Sequence, residues 1–317
     1  MVYLYPLYFR IHFYVTIFLK TMTHTYTDLS KRISLLLRSS RFPYFWIWVG
    51  GYILFGWMYA RHVSGISTID TEFVLVFIWC VTFGNIYLNN INDAFDYETD
   101  VLNPRKSENG TIEQCVDTNS SKKVYLRAML ALSSGIFLIP FIHTYTIIML
   151  CIWSLSIYMY NVPFFRFKKI PFLETFFASM HFIPLFIIGY LSLLHEFPDI
   201  KVVFWFFLYT WTWIFLANSL DVPYDKVAGI KNITVRIGST KMSLYVTLLI
   251  ATIQILFSYS IGFTVISVIS LCTPLFLIYL LKTKLYETNH PKTYSQYIYI
   301  SYIIGFSIGL CFYFGLL

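Results

Sequence analysis

Residues 72–100 read EFVLVFIWCVTFGNIYLNNINDAFDYETD, an apolar run that passes without a break into amides and carboxylates. Positions 72–91 supply the ~20 mostly apolar residues that one helix needs to cross a bilayer. If the helix continues into the polar part, Asn92, Asp93, Asp96 and Asp100 fall within an arc of roughly 100°. Three carboxylates and an amide on one face repel one another unless a cation sits among them, and hard oxygen ligands suit Mg²⁺ or Mn²⁺. A merely solvated acidic helix end is the competing reading. It is disfavoured because Asn92 and Asp93 sit close to membrane depth, where ionisable groups are costly and usually functional.

Outward from this segment the same pattern repeats. Expected spans lie at 44–60, 72–91, 124–142, 144–160, 171–193, 202–220, 242–260, 262–281 and 296–316, about nine in all, with short polar breaks between them. The 317 residues are 57% hydrophobic and 12% charged, whereas soluble domains are roughly 45–50% apolar and about 25% charged. The chain is therefore expected to be an all-α polytopic membrane protein. Aromatic residues make up 21%, more than two interfacial belts require, so some rings are expected to line a cavity.

Beyond residue 30, every Lys and Arg except Arg61 and Lys201 falls on one predicted side, in the segments before the first span and at 92–123, 161–170, 221–241 and 282–295, with Arg127 on the flank of the second of these. The positive-inside rule makes that side cytoplasmic, and the net charge of +7 then needs no nucleic acid to explain it. Residues 1–40 form a leader and 41–317 the membrane-embedded domain. The leader opens with MVYLYPLYFRIHFYVTIFLK, interrupted by Pro6, Arg10, His12 and Lys20, and lacks a signal-peptide cleavage site. It is expected to lie along the interface, or to be bypassed by a start at Met22. Cys80, Cys115, Cys151, Cys272 and Cys311 show neither a Cys-x-x-Cys pair nor metal spacing and read as core residues. His143, His181 and His195 read as satisfied core or interfacial residues.

The end of the sixth span echoes that of the second. Asn218, Asp221 and Asp225 match the spacing logic of Asn92, Asp96 and Asp100, as a duplicated half or two separate ligand arms would. Pro223 lies between the two aspartates and argues against ideal helical geometry there. Two such motifs on one membrane edge point to a shared site. A diphosphate suits it, because Mg²⁺ can bridge carboxylate to phosphate oxygens while basic groups complete the cage. Arg105, Lys168 and Lys231 are the candidates for that role, taken as a group.

The strings NDAFDYETDVLNPRK and DVPYDKVAGIKNITVRIG resemble the paired signatures of the UbiA superfamily of membrane prenyltransferases. Asn92, Asp96 and Asp100 match the first signature, and Asp221 and Asp225 the second. YNVPFFRFKKIPFLE resembles the family's Tyr-x-x-Pro-Pro-x-x-x-Lys loop at Tyr160, Pro163 and Lys168, with Phe164 departing from the second proline. Arg41 resembles the family's Arg-Pro pair before the first span, with Phe42 intervening before Pro43. The resemblance covers roughly residues 38–316 and, within the superfamily, is strongest to the lycopene elongase-like branch. It implies a helical barrel around a membrane-embedded cavity capped by the two acidic loops. It also implies catalysis by Asp96, Asp100, Asp221 and Asp225, metal binding by these four with Asn92, and substrate binding by Asn92, Asp93, Arg41, Arg105, Tyr160, Lys168 and Lys231.

The reaction expected is Mg²⁺-assisted loss of diphosphate from an allylic isoprenoid, followed by attack of a lipophilic acceptor on the carbocation and loss of a proton. The interior polar groups are mainly Tyr, Ser and Thr hydroxyls with Asn85, Asn89 and Gln254, which suits a carotenoid polyene better than a free aromatic acid. An aromatic, quinone-pathway acceptor is the alternative within the class. From another class, a divalent-cation transporter would place its carboxylates near the bilayer midplane; here both motifs lie at one edge. Retention of every aspartate argues against a catalytically dead scaffold.

Overall fold

The structure, a computed structural model, describes residues 44–66, 68–100, 121–227 and 229–284, and scattered helical positions from 300 to 315. Arg41, Arg105, Cys115 and the 1–40 leader lie outside the described residues, as do the side chains of 97–100. Every regular element among the described residues is helical. In chain order these are α1 (Tyr44–Ser64), α2 (Thr71–Trp79), α3 (Asn85–Asp100), α4 (Ser121–Ser133), α5 (Thr144–Asn161), α6 (Leu173–Ser179), α7 (Ile183–Leu194), α8 (Ile200–Val227), α9 (Ile233–Ile237), α10 (Thr240–Ser260), α11 (Thr264–Ser270) and α12 (Cys272–Thr283).

Among the described residues, six helices are long and apolar enough to cross a membrane: Thr71–Asp96, Ser121–Phe141, Leu173–Leu194, Ile200–Val227, Thr240–Ser260 and Thr264–Thr283. They coincide with six of the expected spans. The expected first and fourth spans are present as the helices α1 and α5, whose many Tyr and Trp residues lower their mean hydropathy. The last expected span is described only at scattered positions.

The α2–α3 helix is continuous but contains a π-helical turn at Cys80–Gly84. A π turn carries one more residue than an α turn and so shifts the helical face downstream of it. α4 runs on into a 3₁₀ segment, Ser134–Phe141, that contains Pro140. Trp79 Nε1 donates to Ser134 Oγ at 2.9 Å, joining the two hairpin arms at that level.

The most extensive helix pair is α1 against α7, and small residues explain it. A Cβ added at Gly56 would lie 1.8 Å from the Phe186 carbonyl oxygen, and one at Gly189 would lie 1.9 Å from that of Ile53. In a bilayer, helix association depends on such close backbone approach, because lipid is as apolar as the side chains. Around this seam the interior is aromatic: Tyr52 and Phe182 rings lie 4.7 Å apart, and Phe186 stacks on Phe206 at 4.4 Å. The other half of the bundle is joined by short hydroxyl contacts. Ser258 and Ser267 oxygens are 2.6 Å apart between α10 and α11.

At the start of α2, the buried carboxylate of Glu72 accepts the backbone N–H of His143 at 3.0 Å and the Thr146 hydroxyl at 2.5 Å. The rings of His143 and His195 lie 4.7 Å apart beside it. Both histidines serve as helix-end residues, as expected for interfacial positions. This cluster and the carboxylates of α3 occupy opposite ends of one helix, so the two ends of the bundle differ in chemistry.

Candidate active site

The first acidic arm is an inward polar stripe on α3. Asn85, Asn89 and Asp93 follow at intervals of one turn and all are buried. The Asn89 amide donates to Asn85 Oδ1 at 2.8 Å and to the Asn85 carbonyl at 2.9 Å. One turn on, Asp96 is also buried, while Asn92 is half-buried on the same helix. Helical geometry thus extends from the apolar span through the carboxylates, as the spacing predicts. Asp100 closes the helix.

Asp96 is ion-paired with the ammonium of Lys168. Lys168 sits in a 3₁₀ turn, Phe167–Lys169, entered through Arg166 in the left-handed conformation at φ 41°. The Arg166 guanidinium donates to the carbonyl of Phe95 at 3.4 Å. One loop therefore grips the end of α3 twice, through a carboxylate and through the main chain. Burial presses the Lys168 ammonium down to about 7; Lys169 adds repulsion and the Asp93 charge opposes both. An anionic ligand would push it back up.

The second arm is the end of α8, which continues through Pro223 to Val227. Asp221 and Asp225 therefore stay one turn apart on a helix, contrary to what Pro223 led one to expect. Proline inside a membrane helix is tolerated where neighbouring groups re-satisfy the backbone it frees. The stop is a Schellman turn: Ile230 N–H bonds the Asp225 carbonyl at 2.9 Å and Gly229 N–H that of Lys226 at 3.2 Å, with Gly229 at φ 68°. This reversal returns Asn232 to the arm it left. The Asn232 amide donates to Asp225 Oδ2 at 2.7 Å, while its Oδ1 caps α9 by accepting Val235 N–H at 2.9 Å.

Between the arms stand α5 and α6. Glu174, inside the span Leu173–Leu194 and 2% exposed, accepts the Asn218 side-chain amide and the Thr175 hydroxyl at 2.7 Å. Tyr160, at the end of α5, lies within electrostatic reach of both Glu174 and Asp225. The structure thus brings Asp93 and Asp96 together with Lys168, and Asp225 together with Asn232. Lys231 is exposed on the turn after α8 and is not gathered with them. Glu174 and Asn232 were not singled out from sequence. An ionisable residue inside an expected span was the available signal for Glu174; nothing in the spacing signals Asn232.

Among the described residues no three carboxylate, thiol or imidazole side chains converge closely enough to hold a metal by themselves. The donor set still suits Mg²⁺, which is commonly bound through one or two carboxylates, with phosphate oxygens and water completing its shell.

The profile of the UbiA prenyltransferase family matches residues 51–303. A lycopene elongase/hydratase of Corynebacterium glutamicum is 32% identical over 221 residues, which is 66% of this chain and 71% of that protein. One from Haloarcula japonica is 28% identical over 214 residues, 66% of this chain and 69% of that protein. Among solved structures, a UbiA homolog from Archaeoglobus fulgidus bound to DMAPP and Mg²⁺ superposes with a TM-score of 0.64 at 17% identity, covering 88% of this chain and 98% of that one. The acidic arms on α3 and α8, the loop that grips the first of them and a match spanning most of the bundle make this chain a member of the UbiA prenyltransferase family, an intramembrane prenyltransferase.

Proposed function

We propose that the chain transfers a prenyl group from an allylic isoprenoid diphosphate to a long, neutral polyene of the lycopene type, with Mg²⁺ as cofactor. The observation that carries this reading is the placement of Lys168 on Asp96 at one end of a bundle whose interior is aromatic. The lycopene elongase/hydratase names of the relatives support the acceptor. So does the charge inside the bundle: among the described residues Glu72, Asp93, Asp96 and Glu174 are fully buried, and no Lys or Arg is. A free aromatic acid would find a largely buried cation only at Lys168, which Asp96 already engages, and burying its charge unpaired is costly.

Asp96 and Asp100 on α3 and Asp221 and Asp225 on α8, with Asn92, would hold the metal. When bound, the metal supplies positive charge that offsets the charge developing on the departing diphosphate. Lys168 adds a cation at the same end, and Asp93 and Tyr160 border the donor. Arg41, Arg105 and Lys231 complete the proposed set as basic groups at the mouth. The aromatic interior excludes water, which would otherwise capture the allylic cation. Each ring facing that cation contributes on the order of 0.5–2 kcal/mol. Residues 41–317 form the catalytic body and 1–40 an interfacial leader, with both acidic ends cytoplasmic.

The test is expression in a lycopene-producing host and, separately, in a strain lacking its quinone prenyltransferase. Longer carotenoids in the first host are expected. Restored quinone synthesis without any carotenoid change would overturn the acceptor.

A further inference from the structure

His181 was expected to be a satisfied core or interfacial residue, and its ring Nε2 is not satisfied. It is 8% exposed, and its ring Nε2 is buried with no hydrogen-bond partner. Leaving a buried polar atom unpaired costs about 1–3 kcal/mol, so its retention at that position asks for a use.

The backbone around it departs from regular helix. The span Leu173–Leu194 is interrupted: α6 ends at Ser179 and α7 begins at Ile183, leaving His181 on the break. Non-helical backbone at membrane depth is tolerated where neighbouring groups satisfy it, and it commonly marks a binding site. Here the satisfaction comes from α5. Trp153 Nε1 donates to the His181 carbonyl at 2.8 Å, and the Ser156 hydroxyl donates to that of Met180 at 3.1 Å. The same helix carries Tyr160, whose ring meets the His181 imidazole edge-to-face at 4.9 Å. Tyr160 stands at the end of α5, from which the loop bearing Lys168 departs. His181 therefore stands one side chain inward from the donor site, on the side of the aromatic interior where Phe182 contacts Tyr52.

We propose that His181 is the base that completes the transfer, a role that rests on the polyene-acceptor reading above. The donor C1–O bond breaks and the diphosphate leaves with the electron pair. A terminal double bond of the acceptor then attacks C1, forming the new C–C bond and leaving a tertiary cation on the acceptor. That cation collapses when a C–H next to it gives its proton to His181 Nε2, the C–H electron pair becoming the new double bond. The imidazolium passes the proton to solvent when product leaves. A hydrocarbon acceptor offers no acidic group of its own, so a base within the apolar interior has a task that the acidic arms, at the membrane edge, do not reach.

The test uses the full-length protein in membranes with labelled dimethylallyl diphosphate as donor and lycopene or a quinol as acceptor. Two quantities are read: diphosphate released and alkene product formed. His181→Phe keeps an aromatic ring against Tyr160 but has no lone pair; His181→Gln keeps a polar group of similar length. In both, alkene product per diphosphate released is expected to fall roughly 100-fold or more, the usual worth of a positioned base, with diphosphate release near the wild-type rate. An unchanged ratio overturns the proposal, as does loss of release and product together, which a purely structural residue would give. If wild-type protein prenylates the quinol and not lycopene, the acceptor reading fails instead, and the same ratio measured on the quinol product still judges His181.

Discussion

Lys168 and Asp96, 72 residues apart in sequence, form an ion pair at the point where the end of α3 meets the loop after α5. Neither element could hold this position alone. α3 needs a cation beside its inward carboxylates, and the loop needs an anchor for a lysine that burial alone would tend to discharge.

Replacing that lysine by methionine keeps the length of the side chain and removes the charge. A hydrogen bond to a charged group is worth about 1.5–3 kcal/mol, so the KM for the allylic diphosphate should rise roughly 10- to 100-fold in Lys168→Met. Steady-state kinetics at saturating Mg²⁺ would check this; an unaltered KM would remove Lys168 from the donor site.

The acidic arms should be indispensable where the supporting residue is merely important. Asp96→Ala and Asp221→Ala are each expected to abolish turnover while the protein still inserts, and EDTA should do the same to the wild type. Asn232→Ala leaves Asp225 in place but frees its orientation, and outer residues of this kind typically cost 10- to 100-fold in metal affinity or activity, roughly. A Mg²⁺ titration of activity should therefore shift to higher concentration in Asn232→Ala and return to wild-type turnover at saturation. Full activity of both aspartate variants would dismiss the site.

The α1–α7 seam gives a prediction about assembly. Gly189→Leu must separate two backbones already in contact, at a cost of about 3 kcal/mol or more, whereas Gly51→Ala, with nothing within 4 Å of the added methyl, should be neutral or mildly stabilising. Thermal denaturation in detergent compares the two. Equal melting temperatures would show that the close approach does not hold the bundle.

Orientation follows from the basic residues. In a background without native cysteines, Gly229→Cys should be labelled from the cytoplasm and Glu196→Cys from the opposite side. Labelling of Gly229→Cys from outside would invert the topology.

The periodicity of the chain made the helices legible, because a bilayer demands about 20 apolar residues per crossing and the sequence states them openly. The inward face of Asp93 and Asp96 followed from the same spacing. What spacing does not carry is the partner on another helix. Glu174 and Asn218 are 44 residues apart, and Asn232 reaches Asp225 only because Gly229 turns the chain back. Pro223 misled for a related reason: whether a proline ends a membrane helix depends on neighbouring groups that re-satisfy the freed backbone, which spacing does not show. His181 looked like filler because an apolar span conceals the break that presents it.

The π-helical turn at Cys80–Gly84 acts as a vernier for the carboxylates beyond it. Removing one residue there would let the helix run through as ordinary α-helix, and everything downstream would swing by about 100° around the axis. The lipid-facing stripe of α2 would be untouched, yet Asp96 would be carried away from Lys168 and its neighbours turned toward hydrocarbon. A lineage of this chain could thus lose its catalytic end through a single deletion four turns away, with no acidic residue altered and the transmembrane pattern intact.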